Sequence, residues 1–106
     1  MVLNHDLYGS GLRITELAPA IESALGITFA LHESGFHGGE YFRFTADTDE
    51  EFILKNNIDD VEDEWAEPDF KASASLLYVD FTSRAEEVGR ALAKVMSLQL
   101  LRSEVL

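Results

Sequence analysis

The stretch from Leu76 to Phe81, LLYVDF, is the most apolar of the strand-like stretches in the chain. As a strand it would turn Leu76 and Tyr78 to one face and Leu77, Val79 and Phe81 to the other. A strand that is apolar on both faces needs cover on both sides, which predicts a central place in a sheet. Two more strands are predicted from alternation, over Glu40 to Thr45 (EYFRFT) and Glu51 to Asn57 (EFILKNN). A further strand is expected from Ile27 to Glu33, with Ile27, Phe29 and Leu31 on one face. Leu3 to Tyr8 gives a weaker strand signal. Gly35, Gly38 and Gly39 mark the turn before EYFRFT.

Helical spacing brackets these strands. Leu17, Ile21, Ala24 and Leu25 predict a helix from about residue 17 to 25, with Gly26 as its stop. Pro19 is expected to be tolerable only in a first turn, which places the start near Ala18. Ser83 and Glu86 have the spacing of a capping box, and Ala85, Val88, Ala91, Leu92 and Val95 follow on one face. That helix is expected to run to about Leu101. The chain thus predicts one α+β domain over residues 1–106, an antiparallel sheet of about four strands with two helices packed on one face. Tyr41, Phe42, Arg43 and Phe44 cannot all point one way, so both faces of the sheet carry apolar groups. Either the N-terminal segment covers the second face or a partner does.

Charge is the other strong signal. The chain has 106 residues and a formal net charge of −12. Between Asp47 and Asp69 lie eleven acids and one base, Lys55, a net of −10 in 23 residues. The remaining nine acids and seven bases leave −2. Such a chain is not expected to bind nucleic acid phosphates directly or to lie on an anionic membrane. Hydrophobic residues make up 46% of the sequence, which separates it from a disordered acidic tail. There is no cysteine, no apolar run long enough to span a bilayer and no signal-peptide pattern at the N-terminus. A cytoplasmic location is the expectation that follows.

Chemistry is harder to find. His32, His37 and Glu40 flank the glycine turn and make a metal site conceivable, yet their spacing matches no ligand signature. The glycines themselves precede a strand, whereas phosphate cradles precede a helix. Asp80 is the acid within the apolar strand, and it is expected either to lie at the strand's end or to pair with Arg43 or Lys55 across the sheet. No nucleophile motif is present. The sequence predicts no catalytic residue, no cofactor and no metal, and the chain is not expected to be an enzyme.

The segment Asp59-Asp60-Val61-Glu62-Asp63-Glu64-Trp65-Ala66-Glu67-Pro68-Asp69-Phe70 combines seven acids with two aromatic rings. Aromatic anchors beside steering carboxylates suit an interface with a basic protein. The expected contacts are Asp59, Asp60, Glu62, Asp63, Glu64, Trp65, Glu67, Asp69 and Phe70. The same rings also suit a lid folded on the core, and the two readings are compatible.

The stretches GGEYFRF, EEFILKNNID, AEPDF and LLYVDFTSRAEEVGRAL resemble small bacterial immunity proteins of polymorphic toxin systems, over roughly residues 27 to 92. That resemblance implies a cytoplasmic protein that binds and blocks a toxin, often a basic nuclease. It carries no catalytic motif across. The expected function is a stoichiometric inhibitor or immunity protein. The alternative is a bacterial regulatory or adaptor domain, homodimeric through the second sheet face.

Overall fold

The computed structural model describes residues 2–34, 39–59 and 63–106. The predicted turn at Gly35 and Gly38 lies outside them. The elements run β1 (Asn4–Ser10), α1 (Ile14–Leu25), β2 (Ala30–Ser34), β3 (Gly39–Thr45), β4 (Glu51–Asn56), β5 (Ile58–Asp59), β6 (Glu64–Trp65), a 3-10 turn (Pro68–Phe70), β7 (Ser75–Thr82), α2 (Ala85–Leu92) and β8 (Gln99–Val105). The fold is α+β. Its main sheet has six antiparallel strands in the order β2-β3-β4-β7-β1-β8, and β5 and β6 form a separate ladder.

The expectation of about four strands falls short by two. β7 does lie in the interior of the sheet, between β4 and β1. The N-terminal segment does not lie over the sheet; it enters it as β1 and buries Leu7 and Tyr8. Gly9 allows that entry, because a Cβ there would collide with the Ser73 hydroxyl and Leu101. The strand expected from Ile27 begins only at Ala30. Phe29 is buried ahead of it, and Leu31, near the sheet edge, is 58% exposed.

Register assigns the faces. Phe42, Leu54, Leu77 and Tyr8 lie across from one another on successive strands, with Phe44, Phe52 and Val79 in the next row. These side chains form one core with Ile14, Leu17, Ala18 and Ile21 of α1 and Val88 and Leu92 of α2. Both helices therefore cover one face, as their apolar stripes require. The opposite face carries the rows Arg43, Ile53, Tyr78, Leu7 and Tyr41, Lys55, Leu76, Gly9.

Both helices differ from expectation at their ends. α1 starts at Ile14, so Pro19 lies in its second turn. The lost bond is to the carbonyl of Thr15, and Thr15 and Pro19 are both on the solvent side, where water can replace it. The Glu16 carboxylate accepts from the Arg13 amide at 3.3 Å and closes the first turn. In α2 the predicted capping box is not formed. The helix begins at Ala85 after Arg84, and the Thr82 hydroxyl accepts from the Arg84 amide at 3.2 Å. α2 ends at Leu92 rather than near Leu101. Bonds from Lys94 to Ala91 and from Val95 to Leu92 tighten the chain, and Ser97 turns it with φ of +68°. Pairing with β1 then draws Gln99–Val105 into the sheet as β8.

Candidate functional site

The acidic segment after β4 is built onto the sheet by one buried asparagine. Asn57 is fully buried at the end of β4. Its Nδ2 donates to the carbonyls of Phe70 and Ser73, both at 2.9 Å, and its Oδ1 accepts from the Glu67 amide at 2.9 Å. Its backbone amide donates to Ala74 and its carbonyl accepts from Ala66. A single side chain thus satisfies backbone groups from both ends of the 3-10 turn.

Glu67 supplies the second anchor. Its carboxylate accepts from the Tyr78 hydroxyl at 2.6 Å and from Arg102 at 3.0 Å, so the segment reaches across the face opposite the helices. Burial pushes the Glu67 carboxyl up, but the Tyr78 hydrogen bond and the Arg102 guanidinium outweigh it and hold it below the usual range. Burial and the Glu67 bond together raise the Tyr78 hydroxyl.

Around these anchors the predicted site residues divide. Asp63, Glu64 and Asp69 are exposed, while Trp65 and Phe70 are half-buried. The Lys71 ammonium sits 5.8 Å from the centre of the Trp65 ring. Glu67 is occupied inside the fold, so it positions the segment. Asp60 and Glu62 lie outside the described residues, and Asp59 is described only as part of the β5 backbone, opposite Glu64. An open groove of about 500 Å³ runs beside the segment, bordered by Asp69, Phe70, Lys71, Gln99 and Leu101.

The same face holds a smaller cleft of about 290 Å³ lined by His5, Asp6, Tyr78, Asp80, Arg102 and Glu104. Here His5 Nδ1 lies 2.8 Å from Asp80 Oδ1. The sequence suggested Arg43 or Lys55 as the partner of Asp80. Arg43 instead pairs with Glu51 at 2.7 Å, and β1, on the side of β7 away from β4, supplies the histidine. Burial raises the Asp80 carboxyl more than His5 lowers it. Next to it β7 bulges. Phe81 has φ of +55°, is 46% exposed and meets the His5 ring edge-on at 4.7 Å.

The conceivable metal site does not assemble from its described members. His32 lies across from Tyr41 and stacks on it, whereas Glu40 lies across from Glu33 on the other face of the sheet. His37 lies outside the described residues. Among those residues no group of three potential ligands converges. No helix among them is long and apolar enough to cross a membrane.

Sequence reasoning missed Asn57, Tyr78, Arg102 and His5. A clue was present for Asn57, an asparagine closing a strand just before an acidic connection. Arg102 follows the expected helix end near Leu101 and gave no such clue. Protein-family profiles give no match to this chain, and neither do the curated proteins.

Proposed function

We infer that the chain is a stoichiometric protein-binding module that takes a basic partner on residues 57–73. One observation carries this reading: the segment is held by Asn57 and Glu67, yet it leaves Asp63, Glu64 and Asp69 in solvent. Carboxylates on a fixed platform attract a cationic surface without the entropy cost of ordering a loose loop. Half-buried Trp65 and Phe70 and the adjoining groove offer an anchor beside the charge.

In its finer form the module is an immunity or inhibitor protein that neutralises a basic toxin such as a nuclease. A nuclease binds phosphates through basic residues, and an acidic protein occupies the same groove by the same electrostatics. An adaptor homodimer joined through the second sheet face finds less support. The apolar side chains of Leu7 and Leu76 on that face are already buried, and its open cleft is lined by charged groups.

The test begins with affinity capture from the native host and identification of what binds. Titration of the purified pair should then give one partner per chain, with affinity that weakens as salt rises. A partner with an acidic contact surface, or affinity that is indifferent to salt, contradicts the reading.

A further inference from the structure

β8 ends one side of the main sheet, and its outer edge faces no other strand among the described residues. It spans seven residues, against five for β2 at the other edge. An unpaired edge without proline or lysine is a template for another strand. The pairing with β1 determines which backbone groups of β8 are open. The Leu106 amide donates to the Leu3 carbonyl at 2.9 Å, and the same register sets Glu104 against His5 and Arg102 against Leu7. Hydrogen-bonded positions alternate along an antiparallel ladder, and this one is regular from Arg102 to Leu106, the register shift between Leu7 and Tyr8 lying beyond it at Leu101. Arg102, Glu104 and Leu106 therefore direct their backbone groups to β1, and Ser103 and Val105 direct theirs outward.

A second copy can pair symmetrically with this edge only where outward positions meet outward positions. Three registers do so over this stretch, centred on Arg102, Ser103 or Glu104. The first sets Arg102 against Arg102 of the second copy, and the last sets Glu104 against Glu104. Like charges so opposed are destabilising. The middle register instead places each Arg102 opposite Glu104 of the second copy, twice. These are non-hydrogen-bonded positions, where side chains across a ladder come closest. Within the chain Arg102 already pairs with Glu67 at 3.0 Å and with Glu104 at 3.1 Å, yet both side chains keep an accessible side, Arg102 at 43% and Glu104 at 59% exposure, so the cross-copy contact extends an existing charge cluster. The register also carries exposed Val105 and Leu106 toward the exposed Leu100 end of the second strand.

We propose that β8 is a self-pairing edge. Two copies join through it, antiparallel, with Ser103 at the two-fold axis. The two six-stranded sheets become continuous, and the helices of both copies lie on one side. This association goes beyond the capture of a basic partner and needs no partner to be observed. Each copy carries −12, so mutual repulsion opposes the pairing at low salt. The dimer therefore tightens as salt rises, opposite in sign to binding of a basic partner.

Sedimentation equilibrium of the whole chain, over a wide concentration range at low and moderate salt, tests it. The mass should rise from 11.8 kDa toward twice that value, and more readily at the higher salt. Glu104→Arg opposes arginine to arginine in the same register and should raise the dissociation constant by about tenfold or more. Val105→Pro removes an outward amide while sparing the bonds to β1, and should also yield monomer with an unchanged β1–β8 ladder by hydrogen exchange. A mass fixed at 11.8 kDa under all conditions overturns the proposal. So does a dimer that both variants leave intact.

Discussion

The turn between β3 and β4 and the segment after β4 are both acidic, and they lie at opposite ends of the same six-residue strand. At roughly 3.3 Å per residue, that separates them by about 20 Å. In the turn, Glu50 is buried against Arg84 at 2.8 Å and Thr82 at 2.7 Å, and Glu51 pairs with Arg43. Asp47 and Asp49 are left exposed with no aromatic residue among them. Beyond the other end, among the described residues, Glu67 alone is tied to an arginine, and three exposed acids stand beside Trp65 and Phe70. The described acids of this one stretch of sequence thus form two regions of different kinds. Arginines at positions 43, 84 and 102 mark which acids belong to the fold.

The largest expected effect is at the end held by asparagine. Asn57→Ala leaves the Glu67 amide and the Phe70 and Ser73 carbonyls without their partner. The penalty for buried unsatisfied groups puts the loss of stability at about 3 kcal/mol. Denaturant unfolding measures it, and hydrogen exchange should quicken first within residues 57–73. Equal quickening in the 46–50 turn would mean that the two regions are not independent.

Acid should loosen both regions. The Glu50 and Glu67 carboxyls are each pushed up by burial but held down more strongly by their hydrogen bonds and arginines. Their folded values thus lie below the unfolded ones. The stability they contribute is complete above the ordinary glutamate range, about pH 4, and is lost as the pH falls through the folded values. Asp80, raised by burial, works in the opposite sense. Glu50→Gln and Glu67→Gln should each flatten the acid limb of a stability–pH curve. An acid limb unchanged in both would assign acid sensitivity elsewhere.

Trp65→Ala should cost the free protein about 1–2 kcal/mol. Full burial would cost about 3–5, and this ring is only half-buried. Its removal should weaken partner binding by about 2 kcal/mol or more. A large stability loss with affinity intact in the folded fraction would reduce Trp65 to a lid. Ser83→Ala should have the smallest effect, within about 0.5 kcal/mol by denaturation midpoint, because no cap bond is made there.

What the sequence disclosed follows from the range of the interactions. β3, β4 and β7 come within a residue or so of expectation because alternation is a local pattern. β8 was hidden because Leu98 and Leu101 continue the helical spacing of Leu92 and Val95, and only β1, almost the whole chain away, makes it a strand. Ser83 and Glu86 carry the motif of a cap, but Glu50, 34 residues back, holds Arg84 and fixes the entry into α2. The acidic site was legible as composition. Its anchors were not, since Asn57 reaches 10 to 16 residues ahead and Glu67 reaches 35. The division of the acids into two surfaces depends on those distant partners.

The most direct test compares the two surfaces in one experiment, the association rate of the captured partner as a function of ionic strength. Reversing Asp63, Glu64 and Asp69 to lysine should slow association by about tenfold or more at low salt and flatten its salt dependence. At about 0.15 M salt, where charges are screened over about 8 Å, reversing Asp47 and Asp49 should change the rate by no more than about twofold, since they lie about 20 Å from the segment. If the two sets of reversals slow binding equally, or if neither does, the segment after β4 is not the steering surface.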